Sequence, residues 1–286
     1  MLVAVVSVKG SPGVTTFTVA LAARWPAQDR VALVEADPSG GDVATRFCLP
    51  PSPGLLSLAA AARGTTDPGL LWQHTQALPG GLAVVTAPPD ADLTRAALQA
   101  LGSPSNTSLL LAAANTPGTT VLVDCGRVDP DSAAMDIVRQ ADVLVLLTGA
   151  HADDLAHLAR RLPAVGRWTP HPMLLLAGEG YSLTDVSREL GVSPLGRIPH
   201  DRRGAAVLCG RSSSHWGRSG PSRSALGRFA HRVAGVLVPA LPNAPTSSMS
   251  FVEQSAAGTS GPRPAPNLPA VSPIRQNQGS WGGVTS

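Results

Sequence analysis

The sequence predicts an α/β fold, a doubly wound and mostly parallel β-sheet flanked by helices. Three observations predict it. Short aliphatic runs recur between segments whose apolar residues have helical spacing. The core must be assembled from small aliphatic side chains, because 43% of residues are hydrophobic and only 3% aromatic. A glycine-rich turn joins the first aliphatic run to the first helical segment. At 286 residues the chain is long enough for one large α/β domain.

Taken in order, strands are expected at residues 2–8, 31–35, 82–87, 120–124, 143–148 and 173–177, each a run of Val, Leu and Ala of the kind found where both faces of a parallel sheet are covered. Helices are expected at 15–24, 55–63, 91–101, 107–115, 132–140, 152–162 and 183–190, so that strand and helix alternate. A last amphipathic helix is expected at 222–238, with Leu226, Phe229, Val233 and Leu237 on one face and Arg223, Arg228 and Arg232 elsewhere. Residues 241–286 are rich in Pro, Ser, Gly, Asn and Gln and poor in large apolar side chains. Such a segment buries too little surface to offset its ordering entropy, and a disordered tail is expected there after a folded domain at 1–240. In a parallel sheet, ligands bind in the loops beyond the carboxyl ends of the strands.

Charge and cysteines narrow the classes. From Leu195 onward ten Arg stand against Asp201 and Glu253, a net +8, while residues 1–194 carry −5 of the total +3. Of the 22 basic side chains, Lys9 alone is lysine. Cys48, Cys125 and Cys209 are far apart and without a CxxC pair, which argues against a disulfide framework or a structural zinc site and for a cytoplasmic setting. The opening MLVAVVSV has no basic leader and runs into a Lys-Gly turn, as a first strand does rather than a signal peptide. Other apolar runs are far short of the roughly 20 residues of a membrane span, so integral membrane insertion is not expected.

The first strand is followed by Lys9-Gly10-Ser11-Pro12-Gly13-Val14-Thr15-Thr16 at the start of a helix. Glycines let backbone N–H groups turn around an anion, the helix N-terminus adds partial positive charge, and a following hydroxyl suits Mg²⁺, here Thr15. The alternative is a strand-to-helix turn with no ligand. The second strand ends in Glu35-Ala36-Asp37-Pro38-Ser39-Gly40-Gly41-Asp42, which reads either as an acidic switch segment or as an Asp-Pro-Gly turn. The fourth ends in Asp124-Cys125-Gly126, an acid closing an aliphatic strand, and Gly196-Arg197-Ile198-Pro199-His200-Asp201 stands near the end of the domain.

In this order the motifs resemble the ParA/MinD family of dimerising P-loop NTPases, whose deviant Walker A loop reads KGGxGKTT and whose later segments read DxDPxGN and G-x-IPxD. The resemblance covers roughly residues 1–240. It implies ATP and Mg²⁺ as ligands, with residues 10–16 cradling phosphate, Thr15 and Asp124 serving the metal, Asp37 orienting the attacking water with Asp42 a lesser candidate, and Pro199 beside the base. Lys9 matches the signature lysine, which in the family reaches across a nucleotide-sandwich homodimer to the partner's phosphates. The implied function is an ATP-dependent dimerisation switch that positions or partitions a cargo such as a chromosome, a plasmid, or pilus or secretion machinery.

Two departures qualify the implied chemistry. The ordinary P-loop lysine is replaced by Val14, removing a charge-assisted contact of about 1.5–3 kcal/mol, so ATP hydrolysis is expected to be slow or lost. The Asn that the family offers to the base is absent from Leu176-Ala177-Gly178. The alternative function is therefore a pseudo-ATPase, an interaction module without turnover.

Elsewhere, Arg202, Arg203, Arg211, Arg218, Arg223, Arg228 and Arg232 form either a non-specific DNA surface or a solvated basic face. His151 and His157 are six apart on a helix and face different ways, so an Asp153–His157 surface pair is expected rather than a metal site. Cys125 is expected to be a small apolar filler.

Overall fold

Every strand of the central sheet lies parallel to its neighbours except one short edge strand, and that arrangement follows from helices returning the chain across the sheet between strands. The computed structural model describes residues 1–10, 12–102, 108–211 and 220–238. The elements are β1 (Leu2–Ser7), α1 (Val14–Ala23), β2 (Arg30–Glu35), α2 (Val43–Arg46), α3 (Leu55–Ala61), α4 (Gly69–Gln73), β3 (Gln76–Ala77), β4 (Ala83–Val85), α5 (Ala91–Gly102), α6 (Ser108–Ala114), β5 (Thr119–Arg127), α7 (Met135–Gln140), β6 (Val143–Ala150), α8 (Ala152–Val165), β7 (Pro172–Gly180), α9 (Leu183–Leu190), β8 (Gly196–Ile198), α10 (Arg202–Leu208) and α11 (Ala225–Leu237). A single 3₁₀ turn, Ala62–Gly64, follows α3.

The sheet order is β3-β4-β2-β5-β1-β6-β7-β8, with β3 antiparallel to β4. This is the doubly wound, mostly parallel architecture of P-loop NTPases expected from the sequence. Side chains alternate across each strand, so β1 sends Val3 and Val5 to one face and Leu2, Ala4 and Val6 to the other. The first face packs under α1 and α11 through Val14, Phe17, Leu21, Phe229, Val233 and Leu237, and the rings of Phe17 and Phe229 lie 6.2 Å apart. Residues of α3, α5 to α9 cover the second face. The apolar face expected on α11 is buried, and Cys125 lies wholly inside the second core.

The register sets the site. Val5 of β1 and Glu35 of β2 both pair with Asp124 of β5, so the segments that follow these three strands emerge at one height on the carboxyl edge of the sheet.

Several elements differ from expectation for identifiable reasons. β4 is shorter than the expected 82–87, because Leu82 C=O turns back to accept from Leu78 N–H at 2.8 Å and Ala87 N–H bonds to the Glu35 carboxylate at 3.0 Å. α7 starts at Met135 rather than 132, since successive turns at Asp129 and Ser132 precede it. β3, β8, α2, α4 and α10 were not anticipated; none exceeds seven residues, too few for a periodic signal. The expected tail at 241–286 and the start of the helix expected at Thr107 lie outside the described residues.

Candidate phosphate-binding site

The amino end of α1 offers three backbone amides ahead of the helical hydrogen-bond ladder. Gly13 precedes the helix with φ 90°, a left-handed conformation that strains any residue with a Cβ, and no side chain caps this end. The first helical bond runs from Phe17 N–H to Gly13 C=O at 2.9 Å, so the N–H groups of Val14, Thr15 and Thr16 precede the ladder. The first turn contains no acidic residue. In front of it lies a cavity of about 430 Å³ lined by Gly10, Gly13, Val14, Thr15, Thr16, Asp37 and Arg46 among others. Val14 does not fill this space: its side chain turns into the core beneath α1 and is 6% exposed.

Beneath the turn sits Asp124, 1% exposed. Its Oδ1 accepts from Gly126 N–H at 3.1 Å, and its buried Oδ2 has no partner of hydrogen-bonding geometry among the described residues. The buried Ser7 hydroxyl, also on the cavity wall, is likewise unpartnered among them. Burial pushes the Asp124 carboxyl up to about 7; nearby Glu35 and Asp37 add to the rise, while the Thr15 hydroxyl and Gly126 N–H oppose it. An orphaned carboxylate oxygen beside a threonine hydroxyl fits Mg²⁺ completed by phosphate and water oxygens. Among the described residues no group of three or more His, Cys, Asp or Glu side chains is able to hold a metal unaided.

Glu35 braces the adjoining loop. Its Oε1 accepts from Asp42 N–H at 2.6 Å and Val43 N–H at 3.0 Å, and its Oε2 from Ala87 N–H at 3.0 Å. Burial nevertheless raises its pKa. These bonds close the segment between β2 and α2 into a loop that presents Asp37 to the cavity. Asp37 Oδ1 accepts from Ser39 N–H at 2.8 Å, and burial raises this carboxyl too. The Asp37 carboxylate rests on Gly126, where φ is 59° and an added Cβ would stand 2.0 Å from Asp37 Oδ2, so a side chain there would strain the backbone and displace the carboxylate.

Of the residues expected at the site, Gly10, Gly13, Val14, Thr15, Thr16 and Asp37 line one cavity, and Asp124 is buried behind its wall with the Thr15 hydroxyl beside its carboxyl. Ser11 lies outside the described residues. A second cavity of about 260 Å³ shares Gly13 and Thr16 with the first and contains Pro12, Pro199, Ala177 and Gly178. Lys9 does not line the first cavity: its Nζ bonds to Asp153 Oδ2 at 2.7 Å, with Asp154 Oδ1 at 4.0 Å. The expected Asp153–His157 pair is thereby corrected, since Asp153 at the start of α8 engages the lysine instead.

Sequence reasoning missed Glu35 as a brace and Arg46 and Arg127 as cationic wall residues. The spacing of Asp42 and Arg46, which pair at 2.6 Å as i and i+4, was the available signal for Arg46. Arg202 lines the second cavity, while Arg203, Arg211, Arg223, Arg228 and Arg232 are exposed on and around α10 and α11; Arg218 lies outside the described residues.

No protein-family model matches the chain, and no curated protein sequence does. Solved structures match over most of its length. A ParA family ATPase from Chlorobium tepidum TLS aligns over 82% of this chain and 98% of its own at 16% identity, with a TM-score of 0.64. The septum site-determining protein MinD complexed with Mg-ADP from Pyrococcus horikoshii OT3 aligns over 84% and 98% at 16% identity and a TM-score of 0.55. An ATP complex of McdA from Cyanothece aligns over 82% and 96% at 14% identity and a TM-score of 0.57. These likenesses establish a ParA/MinD-type P-loop fold.

The buried carboxylate gives a pH test. With its folded pKa about 7 and the ordinary aspartate value 3.8 in the unfolded chain, Asp124 keeps a proton on folding that the unfolded chain releases between those pH values, so its contribution to stability falls as pH rises through this window. Asp124→Asn is expected to raise the Tm of the metal-free protein at pH 8 and to lose that advantage by pH 4–5; an equal effect at both pH values contradicts a raised pKa.

Proposed function

We propose that this chain binds ATP with Mg²⁺ and dimerises in response, acting as a ParA/MinD-like switch in the positioning or partitioning of a cargo. The reading rests above all on the unpartnered Oδ2 of Asp124 beneath the uncapped start of α1, an acidic and an amide-lined wall separated by a cavity. Amides of Gly13 to Thr16 receive phosphate oxygens, as helix N-termini do. Thr15 and Asp124 hold Mg²⁺, which neutralises phosphate charge when bound. The base enters the second cavity, with Pro199 on one side and the Ala177-Gly178 end of β7 on another.

Asp37, raised in pKa and facing the cavity, orients and deprotonates the attacking water. Lys9 releases Asp153 and reaches the phosphates of the partner in the dimer. No ammonium stands at position 14, so the developing charge on the transferred phosphoryl group lacks its usual partner and turnover is slow. The burial of Val14 also favours a second reading, a pseudo-ATPase that binds nucleotide and a protein partner without hydrolysis.

Calorimetry with Mg-ATP and Mg-ADP is expected to show one site per chain; heat of binding from neither nucleotide defeats the proposal. Single-turnover hydrolysis that disappears in Asp37→Ala supports the switch, whereas a wild-type rate equal to that of the variant supports the pseudo-ATPase. The exposed arginines of α10 and α11 offer the dimer a surface for DNA phosphates. Such binding must weaken steeply between 50 and 200 mM salt, roughly in proportion to the number of phosphates contacted, and DNA affinity indifferent to salt dismisses it.

A further inference from the structure

With valine in the P-loop and Lys9 held by Asp153, the phosphate cavity takes its side-chain cations from elsewhere: among the described residues lining it, Arg46 and Arg127 are the basic ones. They are not equivalent. Arg127 is an exposed residue at the end of β5, where solvent screens its charge. Arg46 is fixed from several sides. It ends α2, whose start is tied to Glu35 through the N–H groups of Asp42 and Val43. Its Nη2 donates to Asp42 Oδ2 at 2.6 Å, and its Nη1 lies 3.9 Å from Cys209 Sγ. That sulfur is 3.4 Å from Thr16 Oγ1, so Cys209 links the guanidinium to the first turn of α1. Behind it, the backbone at Gly210 approaches so closely that an added Cβ would stand 2.1 Å from Arg46 C=O. The Arg46 side chain is 28% exposed against 65% for Asp42, and both residues line the cavity, so the guanidinium is the better shielded member of the pair.

We propose that Arg46 is a phosphate-binding residue, supplying within the same chain, from α2, the positive charge that Val14 withholds from the P-loop. The inference rests on the nucleotide-binding reading above. A guanidinium carries five donors in a planar fork, and with one engaged by Asp42 and one directed at Cys209 Sγ three remain for phosphate oxygens. Its approach from α2 rather than from the P-loop places the charge on the side of the cavity bounded by the loop that contains Asp37. Binding affinity is thus retained while the contact made by the usual lysine is not reproduced.

The test is calorimetry of Mg-ADP and Mg-ATP with wild type, Arg46→Ala, and Arg46→Ala combined with Val14→Lys. Arg46→Ala is expected to weaken both nucleotides roughly tenfold to a hundredfold, the range for loss of one charge-assisted hydrogen bond, and Val14→Lys to recover most of that loss by restoring the charge from the other wall. Arg46→Gln, which keeps the stem and a donor for Asp42, gives the same readout should the alanine variant fail to fold. Wild-type binding with Arg46→Ala and Arg46→Gln both within about twofold overturns the role of Arg46 and leaves the nucleotide site standing. A loss that Val14→Lys does not repair also overturns it, since that is the outcome of a purely structural role. Absence of binding in the wild type defeats the nucleotide reading and this inference together.

Discussion

An unpaired carboxylate oxygen held under a helix start with free amides is the constraint on which the site depends. Asp124 is buried deeply enough to have its pKa raised, and its Oδ2 meets no donor among the described residues. Leaving a buried polar atom unpaired typically costs about 1–3 kcal/mol, so a fold that retains one stores affinity for whatever cation satisfies it. The amides of α1 present the complementary deficit, donors awaiting an anion. A metal-bound polyphosphate would resolve both at once, which is the basis of the proposed function. The sheet makes the geometry possible by setting β1, β2 and β5 in a register that brings Val5, Glu35 and Asp124 to the same level.

The surrounding loop shows how one acidic residue becomes structural so that another remains available. Glu35 spends its oxygens on three backbone N–H groups, which holds the segment from Asp37 to Val43 against the sheet. Asp37 then rests on Gly126, two residues beyond Asp124 on β5, so the loop that holds Asp37 packs directly on the strand that holds Asp124. Positioning of Arg46 follows from the same brace, because α2 begins where the Glu35 bonds end.

Much of this was legible in the sequence, and the failures have physical causes. Parallel strands buried on both faces appear as aliphatic runs, and β1, β2, β5, β6 and β7 were located within a few residues at each end. Gly13, Thr15, Asp37 and Asp124 were identifiable because local backbone chemistry fixes them close to strand ends. Glu35 was visible only as one acid in the segment that ends the second strand, since Ala87, one of its partners, lies 52 positions away in the chain. Lys9 was conspicuous as a solitary lysine, but its contact with Asp153 depends on how α8 packs beside the P-loop, which no local pattern encodes. The short helices α2 and α10 escaped notice, and with them the contact between Arg46 and Cys209.

The measurement that bears most directly on the phosphate cradle is amide hydrogen exchange across residues 13–17, with and without Mg-ADP. The account predicts that slowed exchange centres on Val14, Thr15 and Thr16, whose N–H groups lack helical acceptors, and that removing Mg²⁺ weakens it. Exchange in this turn unchanged by saturating Mg-ADP, with protection appearing elsewhere or nowhere, would contradict the account.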